Sequence, residues 1–126
     1  MNTQRSNLIP PPIEKTMTLT TTVLYPNSLG KTFDVKYYLD SHMPLAEQLW
    51  GPLGMTSWVV IQFEPGPDGA APPYRLKTVS EWESREKLSM AVASKEGKIL
   101  RNDFAKFTDE VPIVLVGEEV VRSQKS

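Results

Sequence analysis

No cysteine occurs anywhere in the sequence. Its absence excludes a disulfide framework, a thiolate metal cluster and a thiol nucleophile, and it suits a cytoplasmic location. Histidine is nearly missing too. His42 is the only one, which is too few for a zinc triad, and the scattered carboxylates lack the spacing of a calcium loop, so no metal is expected. Fourteen Lys plus Arg against fifteen Asp plus Glu give a formal charge of -1, with no positive field to hold nucleic acid or an anionic membrane surface. Uninterrupted apolar runs are short, well below the roughly 20 residues a helix needs to cross a bilayer, and the first residues contain no signal-peptide core. Neither a GxGxxG nor a Walker loop is present, and Ser41 beside His42 lacks the context of a nucleophile elbow, so no cofactor is implied.

What is present is enough for one domain: 126 residues with 40% hydrophobic composition can bury a continuous core. Residues 1–16, polar and interrupted by Pro10, Pro11 and Pro12, are expected to be a flexible extension, with a docked arm as the alternative. Residues 17–122 form the expected folded unit and 123–126 a flexible tail. TLTTTVLY, Thr18 to Tyr25, alternates as a strand. Asp34 is placed to cap a helix whose inward face carries Val35, Tyr38, Leu39, His42, Leu45, Ala46 and Leu49. Pro44 lacks an amide, so a kink is expected beside His42, and GPLG at Gly51 to Gly54 closes the helical region.

TSWVVIQF and YRLKTV read as the next two strands, separated by the loop EPGPDGAAPP. SEWE, Ser80 to Glu83, has the capping-box pattern for a second helix, with a break expected at Gly97 and a short helix or turn from Lys98 to Phe107. VPIVLVGEEVV closes the order βαββαβ, with Pro112 suited to a sheet margin. That order predicts an α+β, ferredoxin-like fold: a four-stranded antiparallel sheet with helices on one face, its other face covered by a second copy in a homodimer.

Chemistry centres on His42. With a reference pKa of about 6.5, an inward imidazole beside a kink is suited to proton transfer, although packing is an ordinary use of such a ring. Tyr38 lies one turn earlier and is the candidate partner that orients a ligand. Tyr25 and Tyr74, at strand ends, and Trp50, at the helix end, are candidate contacts for an aromatic ligand; each also reads as a packing residue. Tyr37 should point to a different helix surface, and Asp40, two residues from His42, does not face it.

The motifs YPN, FDxxYYxxxHMPL and FTDxxP, at Tyr25 to Asn27, Phe33 to Leu45 and Phe107 to Pro112, resemble the EthD family, named for a protein associated with ethyl tert-butyl ether degradation. The resemblance spans about Thr18 to Val121 and implies a dimeric α+β barrel, with a pocket between sheet and helices. It implies His42 as the pocket acid-base residue and places Phe107, where the family commonly has Tyr, at the ligand. The function so implied is a cofactor-independent lyase or isomerase acting by proton transfer on a small aromatic, phenolic or lactone metabolite. The alternatives are a non-enzymatic binder of small hydrophobic ligands, auxiliary to a degradation pathway, and a cofactor-free monooxygenase.

Overall fold

The computed structural model describes residues 13, 14 and 18–124. Most of the expected N-terminal extension, and the last two residues of the expected tail, therefore lie outside the described residues. Ile13–Glu14 (β1) pairs antiparallel with Arg122–Ser123 (β6), so the end of the lead and the start of the tail meet.

Thr18–Pro26 (β2), Met55–Gln62 (β3), Tyr74–Trp82 (β4) and Ile113–Glu119 (β5) form one antiparallel sheet in the order β3-β4-β2-β5. The helices are short: Val35–Tyr37 (α1), Met43–Trp50 (α2), Arg85–Ala93 (α3) and Lys95–Asp103 (α4). They cover one face of the sheet. Leu19, Thr21 and Tyr25 of β2 and Leu76, Thr78, Ser80 and Trp82 of β4 are buried beneath them, in the period of two that a half-covered strand dictates. The polar members of this face bond among themselves, Thr21 with Ser80 and the Trp82 indole N–H with the Ser80 hydroxyl.

The ferredoxin-like architecture is as expected; the barrel is not. The sheet is open, with β3 and β5 at opposite edges and no pairing between them. Each edge strand leaves one row of backbone groups unpaired within the sheet, so the four strands do not close on themselves. Pro112 precedes the edge strand β5, where its missing amide interrupts no ladder.

Two local expectations fail for readable reasons. The second helix does not start in SEWE: Ser80 and Trp82 continue the inward alternation of β4, and Ser84 caps α3 by accepting from the Lys87 N–H. Nor does Gly97 break the helical region. The break is at Ser94, which caps α4, while Gly97 lies inside α4 where an added Cβ would come within 2.5 Å of the Val92 carbonyl oxygen. The glycine serves close packing of α3 against α4 rather than termination.

Candidate functional site

The site is set by the irregular helix of the first crossover. Asp34 caps α1, its carboxylate accepting from the Tyr37 N–H at 3.0 Å. The expected disturbance near Pro44 takes the form of a π turn over Tyr38–His42, closed by the Met43 N–H on the Tyr38 carbonyl, with the proline in the first turn of α2. A proline is tolerated in a first turn because its missing N–H would lack an intrahelical partner there anyway. The wider π turn also brings residues five apart towards one side.

That widening assembles a polar triplet. His42 Nδ1 lies 2.9 Å from Asp103 Oδ2, and the Tyr37 hydroxyl donates to Asp103 Oδ1 at 2.9 Å. Both His42 and Asp103 are buried, each 5% exposed. Lys106 Nζ stands 3.5 Å from Asp103 Oδ1. Burial alone would raise the Asp103 carboxyl, but the hydrogen bonds from His42 and Tyr37, with the nearby charge of Lys106, hold it below its ordinary value of 3.8. His42 moves down from 6.5, because burial disfavours the imidazolium more than Asp103 favours it. His42 Nε2 has no hydrogen-bond partner among the described residues.

Aromatic rings enclose the triplet. Tyr38 stacks on His42 at 5.4 Å and 18°, Phe107 approaches to 4.6 Å, and Phe104 meets it edge-on at 5.4 Å. Tyr25 and Phe33 complete the layer against Tyr38 and Phe107. The Tyr38 hydroxyl bonds the Thr78 hydroxyl at 2.5 Å, which ties the ring to β4. Burial raises both the Tyr25 and Tyr38 phenols above 10.0, so each remains a neutral hydroxyl at physiological pH.

His42, Tyr38, Tyr25 and Phe107 are thus brought together, while Trp50 and Tyr74 are not. Trp50 packs against Trp82 at 5.2 Å, and Tyr74 is half-buried at the start of β4, opposite Pro26. Tyr37, expected on another surface, joins the site because the α-helical period used to place it does not hold through the π turn. Asp103 was missed altogether. Its one signal is position: it follows Leu100 by three residues and precedes Phe107 by four, a carboxylate on the apolar stripe of α4.

Two surface depressions flank the rings. One, of about 320 Å³, is lined by residues 32–34 and 105–109; the other, of about 250 Å³, lies between Asp34, Lys36, Tyr37, Asp40 and Ser41. Phe33 and Phe107 in the first and Tyr37 in the second belong to the ring and triplet assembly, but His42 lines neither. The enclosed space facing the imidazole that a pocket histidine calls for is not supplied by these two depressions. Among the described residues no group of three His, Cys, Asp or Glu side chains is arranged to hold a metal ion, and no helix is long and apolar enough to cross a membrane.

No protein-family model matches the sequence, and no curated protein matches it. Solved structures do. An EthD-like protein from Ralstonia eutropha JMP134 is 27% identical, with a TM-score of 0.75 over 82% of this chain and 92% of its own. An EthD-family protein from Bacillus halodurans C-125 is 24% identical, with a TM-score of 0.66 over 82% of this chain and all of its own (100%). SnoaB, a cofactor-independent oxygenase from Streptomyces nogalater, shares the fold at 7% identity and a TM-score of 0.53, over 86% of this chain and 94% of its own. The chain is a structural homologue of EthD-family proteins, a likeness that carries the fold and no single reaction.

Proposed function

We propose, from this structural homology to EthD-family proteins, that the chain binds a small aromatic metabolite at the His42 end of its helix layer, as a cytoplasmic auxiliary protein of small-molecule metabolism. The observation that carries the reading is the state of the imidazole. Its Nδ1 is fixed by Asp103, its Nε2 has no partner among the described residues, and every ring around it is apolar on the facing side. A single directed polar atom among aromatic walls is the usual make-up of a small-molecule site. A ligand would reach it from the first of the flanking depressions by displacing Phe107, the ring shared between its wall and the site.

Proton-transfer chemistry, as a lyase or isomerase, is the second reading. It is favoured by the Asp103–His42 pair, the arrangement that orients an imidazole as a general base. Calorimetric titration with phenols and lactones, followed by product analysis with and without oxygen, separates the readings. Saturable binding that weakens about tenfold in His42→Gln, without product, supports the binder. Product formed in its absence of oxygen and lost in His42→Gln supports the lyase or isomerase, and product that requires oxygen supports a cofactor-free monooxygenase. No saturable binding by any compound, or unchanged affinity in a folded His42→Gln, would sink the assignment of the site.

The same protein is proposed to pair with itself through the sheet face that bears no helices. In register across that face run Val59, Val79, Thr22 and Leu115, and beside them Ile61, Lys77, Leu24 and Ile113. Val59, Ile61, Ile113 and Leu115 are 41–52% exposed, a large apolar area for a chain to leave to water. Light scattering should report a dimer that Leu115→Lys converts to monomer; a wild-type monomer at all concentrations would refute the pairing.

A further inference from the structure

We infer that Asp103 holds His42 in the tautomer whose Nε2 is a hydrogen-bond acceptor, so that the ligand of this site presents a hydrogen-bond donor, a phenol or enol hydroxyl, and not a lactone or ketone carbonyl. The inference rests on the binding reading above and narrows its ligand class; Asp103 is a positioning residue that acts through the imidazole.

The reasoning is donor and acceptor counting. An ionised carboxylate only accepts hydrogen bonds, and three donors converge on Asp103: the Tyr37 hydroxyl at 2.9 Å, Lys106 Nζ at 3.5 Å and the His42 ring at 2.9 Å. The His42 nitrogen in that contact is Nδ1, so Nδ1 carries the proton. A neutral imidazole has one N–H, and with it spent on Asp103 the lone pair is left at Nε2. Enclosure by Tyr38, Phe104 and Phe107 keeps the ring neutral, since a second proton would place an imidazolium among apolar faces. A carbonyl oxygen brought to Nε2 would set lone pair against lone pair. A hydroxyl would donate to it, with its aromatic ring free to pack against Phe104 or Phe107.

A phenol and a lactone of equal size are equivalent to an apolar cleft but not to this nitrogen. The second group on the carboxylate, Tyr37, matters here because it leaves Asp103 no reason to turn away: both carboxylate oxygens are engaged, Oδ1 by Tyr37 and Oδ2 by His42. Asp40, nearer in sequence, is engaged elsewhere, accepting from Lys36 Nζ at 2.6 Å.

The single histidine makes the test direct. Nitrogen-15 NMR of the uniformly labelled full chain at neutral pH should show one imidazole with a protonated Nδ1 and an unprotonated Nε2; the reverse pattern would overturn the inference, with no ligand needed. Calorimetry with phenol and with anisole, its methyl ether, then reads the ligand side. Anisole is expected to bind at least about tenfold more weakly, because it has lost the donor. Asp103→Asn, which can donate an amide proton to Nδ1 and so move the ring proton to Nε2, should lower the preference for phenol over anisole and raise affinity for a small lactone. Equal binding of phenol and anisole by the wild-type chain would overturn the donor assignment while leaving the binding reading in place. Failure of both to bind, along with every other phenol, would instead overturn the binding reading and the ligand inference with it, and the NMR pattern would still decide the role of Asp103. Should Asp103→Asn fail to fold, the wild-type measurements remain decisive by themselves.

Discussion

Helix α2 runs from its N-cap at His42 to Trp50 and meets aromatic partners at both of its ends, and the two ends differ in what they do with polarity. At the His42 end the rings of Tyr25, Phe33, Tyr38, Phe104 and Phe107 surround an imidazole whose Nδ1 is matched to a carboxylate from α4, 61 residues further along the chain. At the other end Trp50 meets Trp82 edge-on at 66°, and the Trp50 indole N–H is buried without a hydrogen-bond partner among the described residues. His42 began as the candidate acid-base residue and Trp50 as a candidate ligand contact. The comparison teaches that an aromatic residue at a helix end is packing until a second element brings a charged partner to it. One end of the helix has such a partner, and the other does not.

The largest difference between the ends should be in stability. Phe107 is 3% exposed and touches most rings of the cluster, so Phe107→Ala is expected to cost about 3–5 kcal/mol in urea denaturation. Trp50 is half-buried, and Trp50→Ala should cost less, about 2 kcal/mol. Equal losses would show that the two ends are energetically alike.

Asp103→Ala comes next, at about 2–3 kcal/mol, because it leaves the His42 N–H and the Tyr37 hydroxyl facing an empty site. A loss below about 0.5 kcal/mol would mean that water replaces the carboxylate without cost.

A smaller effect, confined to acid, sharpens the comparison further. His42 is held below its ordinary 6.5 by burial, so beneath that pH the unfolded chain takes up a proton that the folded chain refuses. Stability should therefore be full above pH 6.5 and fall as the pH drops from there towards the lowered folded value. Asp103, depressed below 3.8, adds a second loss only at still lower pH, where the native carboxylate is protonated. Urea midpoints measured from pH 7.5 to pH 5 should lose this slope in His42→Gln but keep it in Trp50→Phe. An identical slope in both would assign the acid sensitivity elsewhere. Trp50→Phe itself should shift stability by no more than about 0.5 kcal/mol, since removing the unpartnered indole N–H offsets the lost ring area.

The local parts of the fold were legible in the sequence. Alternation marked the strands, Asp34 stood where a cap belongs, and Pro44 announced an irregular turn at His42. Ser80 and Trp82 misled because a capping-box pattern and the inward period of a strand coincide there; the run Leu76, Thr78, Ser80, Trp82 was the better guide. The site was only half legible. His42, Tyr38 and Tyr25 follow from the periodicity of one strand and one helix, whereas Asp103 depends on how α4 docks on that helix, which no local pattern encodes. Tyr37 was lost for a different reason: a π turn changes which residues share a side, and proline chemistry says that a turn will be irregular without saying by how much. The barrel was carried over from the family likeness, and a four-stranded open sheet does not form one.

The measurement that bears most directly on the account is proton NMR of the His42 ring during titration with phenol, since the only imidazole in the chain gives an unambiguous signal. The ring signals should move saturably, with the same dissociation constant that calorimetry gives. Phenol that binds by calorimetry while the His42 signals stay fixed would place the ligand elsewhere and contradict the account.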